Sequence, residues 1–396
     1  MKKVEQITKD SQVLLDYDKP VSLSEVRTLL AKWFSEVGGN RNPFKVAYNG
    51  HYINICVKSV SYLGHPHPIY KKRIQIPKEW RKVLQNDNTL LLGIYRYKKN
   101  IVLVVFDKAK YKNNQLNNSS AHVYTLDIQK AIEFGIFSKT DNNGNKITTC
   151  REDCFTTFLD GFVKGQSPDL PVEIDFLDKF ATSVPREWLG KSCYSKMFAD
   201  DYRNAAQPEW PAFYLEYLFE KYSSDNSYTR KICVFVSNKS ASGLDFDLNF
   251  HNAFLGDLKC HSDKSATILG NDKLSVNEAI KQYGKLWYIV FSHSTEKDSA
   301  HGHIVTKFWN RLLNARNGAF KKKDELSYGE KMKYSVRHNT FLILEINAAN
   351  KKYVADFNQG MQPSGEARAT KISIPEKAIN NFLIYSKRFQ QLGDGG

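Results

Sequence analysis

Between residues 243 and 260 the chain carries two short runs in which apolar and polar side chains alternate. They are Gly243-Leu-Asp-Phe-Asp-Leu-Asn-Phe250 and, after a short polar turn, Ala253-Phe-Leu-Gly-Asp-Leu-Lys-Cys260. A period of two is the strand period, so each run turns one face to a core and leaves the other polar. The short connection favours an antiparallel hairpin. Asp245, Asp247 and Asn249 then share the polar face of the first strand, and Asp257 and Lys259 lie across from them on the second.

Paired carboxylates are hard oxygen ligands of the kind Mg²⁺ prefers, and because Mg²⁺ keeps several waters, two protein carboxylates and a phosphate oxygen suffice to hold it. A lysine two residues from one of those acids points the same way. It can orient or deprotonate an attacking water, or stabilise negative charge as it forms. The alternative is an exposed hairpin whose outer face is merely charged, and an Asp-x-Lys triplet alone is common. Acids on both strands, apolar flanks and an upstream amphipathic segment, Trp210 to Lys221, bearing Glu216 together favour a metal site.

The remaining composition sets the frame. At 396 residues the chain exceeds one ordinary core, and about 150 residues per domain implies two or three domains. No run approaches the roughly 20 apolar residues of a membrane span, and the start MKKVEQITKD lacks the apolar stretch of a secretory signal. The expectation is a cytoplasmic protein with no membrane partner. Six scattered cysteines read as free thiols, with Cys150 and Cys154 the one close pair. A net charge of +15 attracts polyanions, of which nucleic acid is the commonest.

Along the chain, residues 21–36 have helical spacing, followed by strand-like segments at 52–57, 73–76, 90–97 and 101–106, the last two joined by a turn at Lys98-Lys-Asn100. A helix at 127–134 and a strand at 146–150 complete a β-rich α+β domain over 1–165. The second domain, 166–396, alternates strands and helices: helices at 210–221, 275–283 and 303–314, strands at 231–237, 286–292 and 339–347, then Lys371 to Pro375 and a helix through Ile384. The fold class expected is α+β or α/β, with a C-terminal mixed sheet flanked by helices.

The order of a helix with Glu216, a strand with Asp245 or Asp247, a strand with Asp257-Leu-Lys259, then helix and strand resembles the PD-(D/E)xK nuclease superfamily and, within it, type II restriction endonucleases. The resemblance spans roughly residues 205 to 300 and lacks the literal Pro-Asp pair. It implies a restriction-endonuclease-like core, with Asp257 as second metal-binding acid, Lys259 as catalytic lysine, either Asp245 or Asp247 as first acid, and Glu216 as assisting helix acid. It further implies Mg²⁺-dependent cleavage of double-stranded DNA at a specific sequence, 5′-phosphate ends, a homodimer on a symmetric target and a cognate DNA methyltransferase. The alternatives are a modification-dependent or repair nuclease with the same core, and a non-catalytic DNA-binding protein.

Residues able to contact DNA lie in both halves. Asn358, Gln359, Gln362, Arg368 and Lys371 can reach base edges or phosphates, and Arg311, Arg316, Lys321 to Lys323 and Lys331 to Arg337 suit phosphates. In the first domain Tyr70 to Arg73, Arg96 to Lys99 and Lys108 to Lys112 interleave basic and aromatic residues, with Asn117, Asn118 and Ser119 adding short polar groups. These define an expected recognition module; a charged shell is its alternative. His65 with His67 and His301 with His303 lack a third ligand and read as ordinary histidines.

Overall fold

The computed structural model describes residues 2–112, 118–141, 144–224, 230–236, 244–251, 253–317, 331–361, 365 and 367–389. The chain is mixed α+β and divides into two compact units, Met1–Pro171 and Val172–Gly396. All six cysteines are free. Among the described residues no helix is long and apolar enough to cross a membrane.

The first unit is organised by a seven-stranded sheet in the order Ile136–Thr140, Lys146–Arg151, Asn100–Phe106, Thr89–Tyr97, His51–Ser59, Phe44–Tyr48, Glu36–Gly38. His51–Ser59 and Thr89–Tyr97 run parallel. Lys98 and Lys99 form a two-residue turn between the paired Tyr97 and Asn100, with Lys98 in the left-handed region at φ 54°. One sheet face packs on helices Leu23–Leu30 and Phe155–Val163 through Leu29, Leu30, Phe155 and Leu159. The other packs through Leu91, Val102 and Val104 on a three-stranded sheet of Ser61–Tyr62, Lys71–Pro77 and Asn118–Tyr124. That small sheet turns Ile74, Ile76, Ala121 and Val123 inward, which leaves its alternate residues facing outward.

In the second unit the helices are α1 (Val172–Ser183), α2 (Gly190–Ala199), α3 (Trp210–Ser224), α4 (Lys273–Tyr283) and α5 (Ile304–Asn317). The main sheet contains β1 (Glu187–Leu189), β2 (Val234–Phe235), β3 (Leu248–Phe250), β4 (Phe254–Ser262), β5 (Lys285–Lys297), β6 (Lys333–Asn347) and β7 (Leu383–Arg388). Its order is β1-β6-β5-β4-β3-β2, with β7 also on β6. The long β6 pairs with β1 at Ser335–Arg337 and with β7 at Thr340–Leu344. Consecutive β5 residues Leu286 to Phe291 are all buried, so both faces of the sheet centre are covered. A separate small sheet joins Thr267–Asp272, Lys371–Pro375 and Ala355–Phe357.

The hairpin β3–β4 is antiparallel, with Leu248 opposite Gly256 and Phe250 opposite Phe254. β4 and β5 run parallel, and α4 lies between them in sequence. Asp272 caps α4 by accepting from the Leu274 and Ser275 N–H groups, and Gly284 ends it in the left-handed region at φ 77°, so β5 starts at once. Helix α3 packs against β4 and β2.

Two expectations are corrected. The strand face expected to carry Asp245, Asp247 and Asn249 is shorter, because β3 begins only at Leu248: Asn249 alone of the three lies on it, Asp247 sits in a bend just before it and Asp245 two residues further back. The helix expected to end near Ile384 is a 3₁₀ turn, Glu376–Asn381, followed by strand β7. Leu383 to Ser386 supply a short run whose backbone completes the exposed edge of β6, and a run that short has no periodicity to separate strand from helix.

Candidate active site

The antiparallel β3–β4 hairpin brings Asp247, in the bend just before β3, beside Asp257 on β4. The Leu258 N–H donates to Asp247 Oδ2 at 3.0 Å, and the Asp247 N–H donates to Asp257 Oδ1 at 3.2 Å. Each carboxylate is thereby fixed by the backbone that carries the other. Lys259 Nζ forms an ion pair with Asp257 Oδ2; the lysine side chain is 21% exposed and the aspartate 5%. Lys259 also lies over the Tyr288 ring, 5.4 Å from its centroid. Tyr288 sits on β5 directly beside Asp257 in the parallel register, and its hydroxyl accepts from the Asn271 N–H at 3.0 Å.

Glu216 approaches from α3. Its Oε2 accepts from the Tyr202 hydroxyl at 3.3 Å and from Asn204 Nδ2 at 3.4 Å. Burial, then the charge of Asp257, pushes the Glu216 carboxyl up to about 7. Burial likewise pushes Asp247 well above the ordinary carboxylate range, and the charges of Asp257 and Glu216 add to it. These are the effects of like charges confined in a poorly solvated space. Burial pulls the Lys259 ammonium down, but Asp257, Asp247 and Glu216 outweigh it and leave Lys259 above its usual value. A lysine held that firmly in its charged form suits electrostatic stabilisation and makes a poor proton acceptor.

Among the described residues no group of three or more His, Cys, Asp or Glu side chains is arranged to hold a metal ion. The Asp247–Asp257 pair is what the fold supplies. Its chemistry fits a divalent cation: the buried Asp257 and the half-buried Asp247 offer oxygen donors whose mutual repulsion a cation would relieve. Asp245 is exposed, and Asn271 Nδ2 donates at 3.0 Å to its backbone carbonyl, so it is left outside the pair.

The other sequence candidates are dispersed. Lys371 stands opposite Asp272 in the small sheet, half-buried; burial and the nearby Lys259 lower its amine, while Asp257 pulls the other way. Arg368 is exposed nearby. Asn358 accepts from the Thr370 hydroxyl at 3.1 Å, and Gln359 Nε2 donates to the Ala369 carbonyl at 3.0 Å, which ties the loop to itself. Gln362, Asn117 and Lys321 to Lys323 lie outside the described residues. In the first unit Arg73 Nη1 donates to the Ser120 hydroxyl at 3.0 Å, whereas Arg96 Nη1 pairs with Glu25 at 2.6 Å. Asn118 opens the strand that continues through Ser119, opposite Ile76. His301 Nε2 meets Glu296 at 3.1 Å and its ring stacks on Tyr334.

The reading from sequence missed Tyr288, Tyr202 and Asn204, which contact Lys259 and Glu216. Only Tyr288 had a signal, its place in the run Leu286 to Ser292, and nothing there marked it as facing Lys259.

A family model described as methylase-associated X1 matches residues 51–159, a segment wholly inside the first unit. No curated protein and no solved structure matches the chain.

Proposed function

We propose that the second unit is a Mg²⁺-dependent nuclease with a restriction-endonuclease-like core, and that the whole chain is a site-specific, type II endonuclease of a restriction–modification system acting on double-stranded DNA. The observation that carries this is the convergence of Asp247, at the entry to β3, with Asp257 and Lys259 on β4, within a helix–four strands–helix–strand order from α3 to β5. The methylase-associated match in the first unit supports a restriction–modification setting with a methyltransferase partner.

Asp247 and Asp257 would hold the cation, with Glu216 behind them. When bound, Mg²⁺ supplies a lowered water pKa and charge neutralisation at the phosphate. The residues themselves orient and exclude. The Leu258 and Asp247 N–H groups fix the two carboxylates, and Lys259 offsets the negative charge that builds on the phosphate oxygens as water adds to phosphorus and the P–O3′ bond breaks. A homodimer is the simplest way to cut both strands of a symmetric site.

The test is digestion of unmethylated phage DNA with Mg²⁺ and with EDTA, beside Asp257→Asn and Lys259→Ala. Discrete fragments that need Mg²⁺, with a loss of about 10³-fold or more in each variant, are expected. Cleavage confined to methylated DNA would transfer the assignment to a modification-dependent nuclease. Undiminished cutting by Asp257→Asn would remove the active site from this hairpin.

A further inference from the structure

The first unit contains two basic clusters that look alike in sequence, and the structure separates them. Arg96 is neutralised by Glu25 at 2.6 Å, and that contact holds the Glu25 carboxyl down to about 2. The second cluster lies on the outward face of the three-stranded sheet. With Lys72, Ile74 and Ile76 buried, Lys71 and Arg73 point the other way, and Arg73 stands directly opposite His122. His67 and Lys110 are exposed nearby, close enough that their charges act on the His122 ring.

No carboxylate cancels this charge at contact distance. Among the described residues Arg73 binds only the Ser120 hydroxyl, and Lys71 and Lys110 form no ion pair. The acids in the neighbourhood stand off: Asp107 caps the Ala109 N–H, and Asp141 accepts from Asn145 three times over and acts on Lys71 through space without an ion pair. The adjoining sequence 113–117, Asn-Asn-Gln-Leu-Asn, and Asn142-Asn143 contain no acid either. Burial and the charges of Lys71, Lys110, Arg73 and His67 push the His122 imidazole down to about 4. It is therefore neutral at pH 7 and presents one N–H donor between cations.

We infer that this face, centred on Lys71, Arg73 and His122 with Lys110 and His67 at its margin, is a docking surface for the phosphodiester backbone of double-stranded DNA. The contact is to phosphates: two cations two residues apart on a flat strand track a charged backbone, and Arg73 is held by Ser120 with part of its guanidinium left to donate outward. The surface lies inside the methylase-associated segment 51–159. It refines the recognition role expected for the first domain and rests on the DNA-directed function proposed above, but is independent of cleavage, since binding is read without Mg²⁺.

The experiment is equilibrium binding of the full chain to a 30-base-pair duplex in EDTA across a salt series. Lys71→Gln/Arg73→Gln is compared with Lys45→Gln/Lys58→Gln, which removes the same charge from exposed positions elsewhere in the unit. The first pair is expected to weaken binding about tenfold and to reduce the slope of log affinity against log salt by about 2. The control pair should change the slope by less than half of that, and Lys71→Arg/Arg73→Lys should restore it. Equal effects of the two pairs would mean net charge alone is at work and would overturn the inference. So would tighter binding of a single-stranded RNA of equal length through the same residues.

Discussion

The two units bury charge in opposite ways. In the first, each buried cation has an acid in contact: Lys139 pairs with Asp127 at 2.5 Å with both side chains at most 1% exposed, Lys72 with Asp18 at 2.7 Å, and Lys130 with Glu133 at 2.6 Å. In the second, Asp247, Asp257 and Glu216 crowd the ammonium of Lys259, which among the described residues is the one cation in contact with any of them and is paired to Asp257. Balanced burial is what a fold needs if its charges serve only to hold it together. An excess of partly buried acid raises the energy of the folded state, a cost that the Mg²⁺ proposed above would offset.

The largest effect that would sharpen this contrast is on stability in the first unit. Lys139→Met leaves the fully buried Asp127 carboxylate without its cation, and breaking such a pair costs about 3–5 kcal/mol. The double variant Lys139→Met/Asp127→Asn should recover most of that loss in denaturant unfolding monitored at neutral pH. If the single variant is as stable as the parent, the pair is not structural and the comparison collapses.

How far the sequence exposed this difference depended on distance along the chain. The β3–β4 hairpin was legible because its partners are a few residues apart and alternate Phe246, Leu248 and Phe250 with polar neighbours. The choice between Asp245 and Asp247 was not, because both precede the first paired residue, Leu248, and only the bend at Asp247 carries its carboxylate to the Leu258 N–H. The pairing of Arg96 with Glu25 spans 71 residues, and Lys139 with Asp127 depends on a helix and a strand meeting. Periodicity reports which face is buried; it is silent on which charge finds which. Strand β7 failed for a related reason, since its identity comes from the β6 edge and not from its own six residues.

A smaller effect tests the second unit where the acids meet. Asp247→Asn removes one of the crowded charges while keeping a side-chain oxygen to accept the Leu258 N–H. The folded-state pKa of Asp247 is raised above its unfolded value, so the folded protein binds more protons than the unfolded chain over that interval. The destabilisation is therefore full above the folded pKa, diminishes as pH falls through it and is gone below the unfolded value near 3.9. Asp247→Asn should exceed the parent in stability by about 1 kcal/mol at pH 8, with the advantage shrinking toward about pH 4, while the proposed cleavage is lost. Adding Mg²⁺ should narrow the gap from the other side, because a cation held by Asp247 and Asp257 stabilises only the parent. Urea unfolding at the two pH values, with and without Mg²⁺, reads all three. An asparagine variant less stable than the parent at pH 8 would show that the Asp247 carboxylate serves the fold as Asp127 does, and the distinction between the two units would disappear.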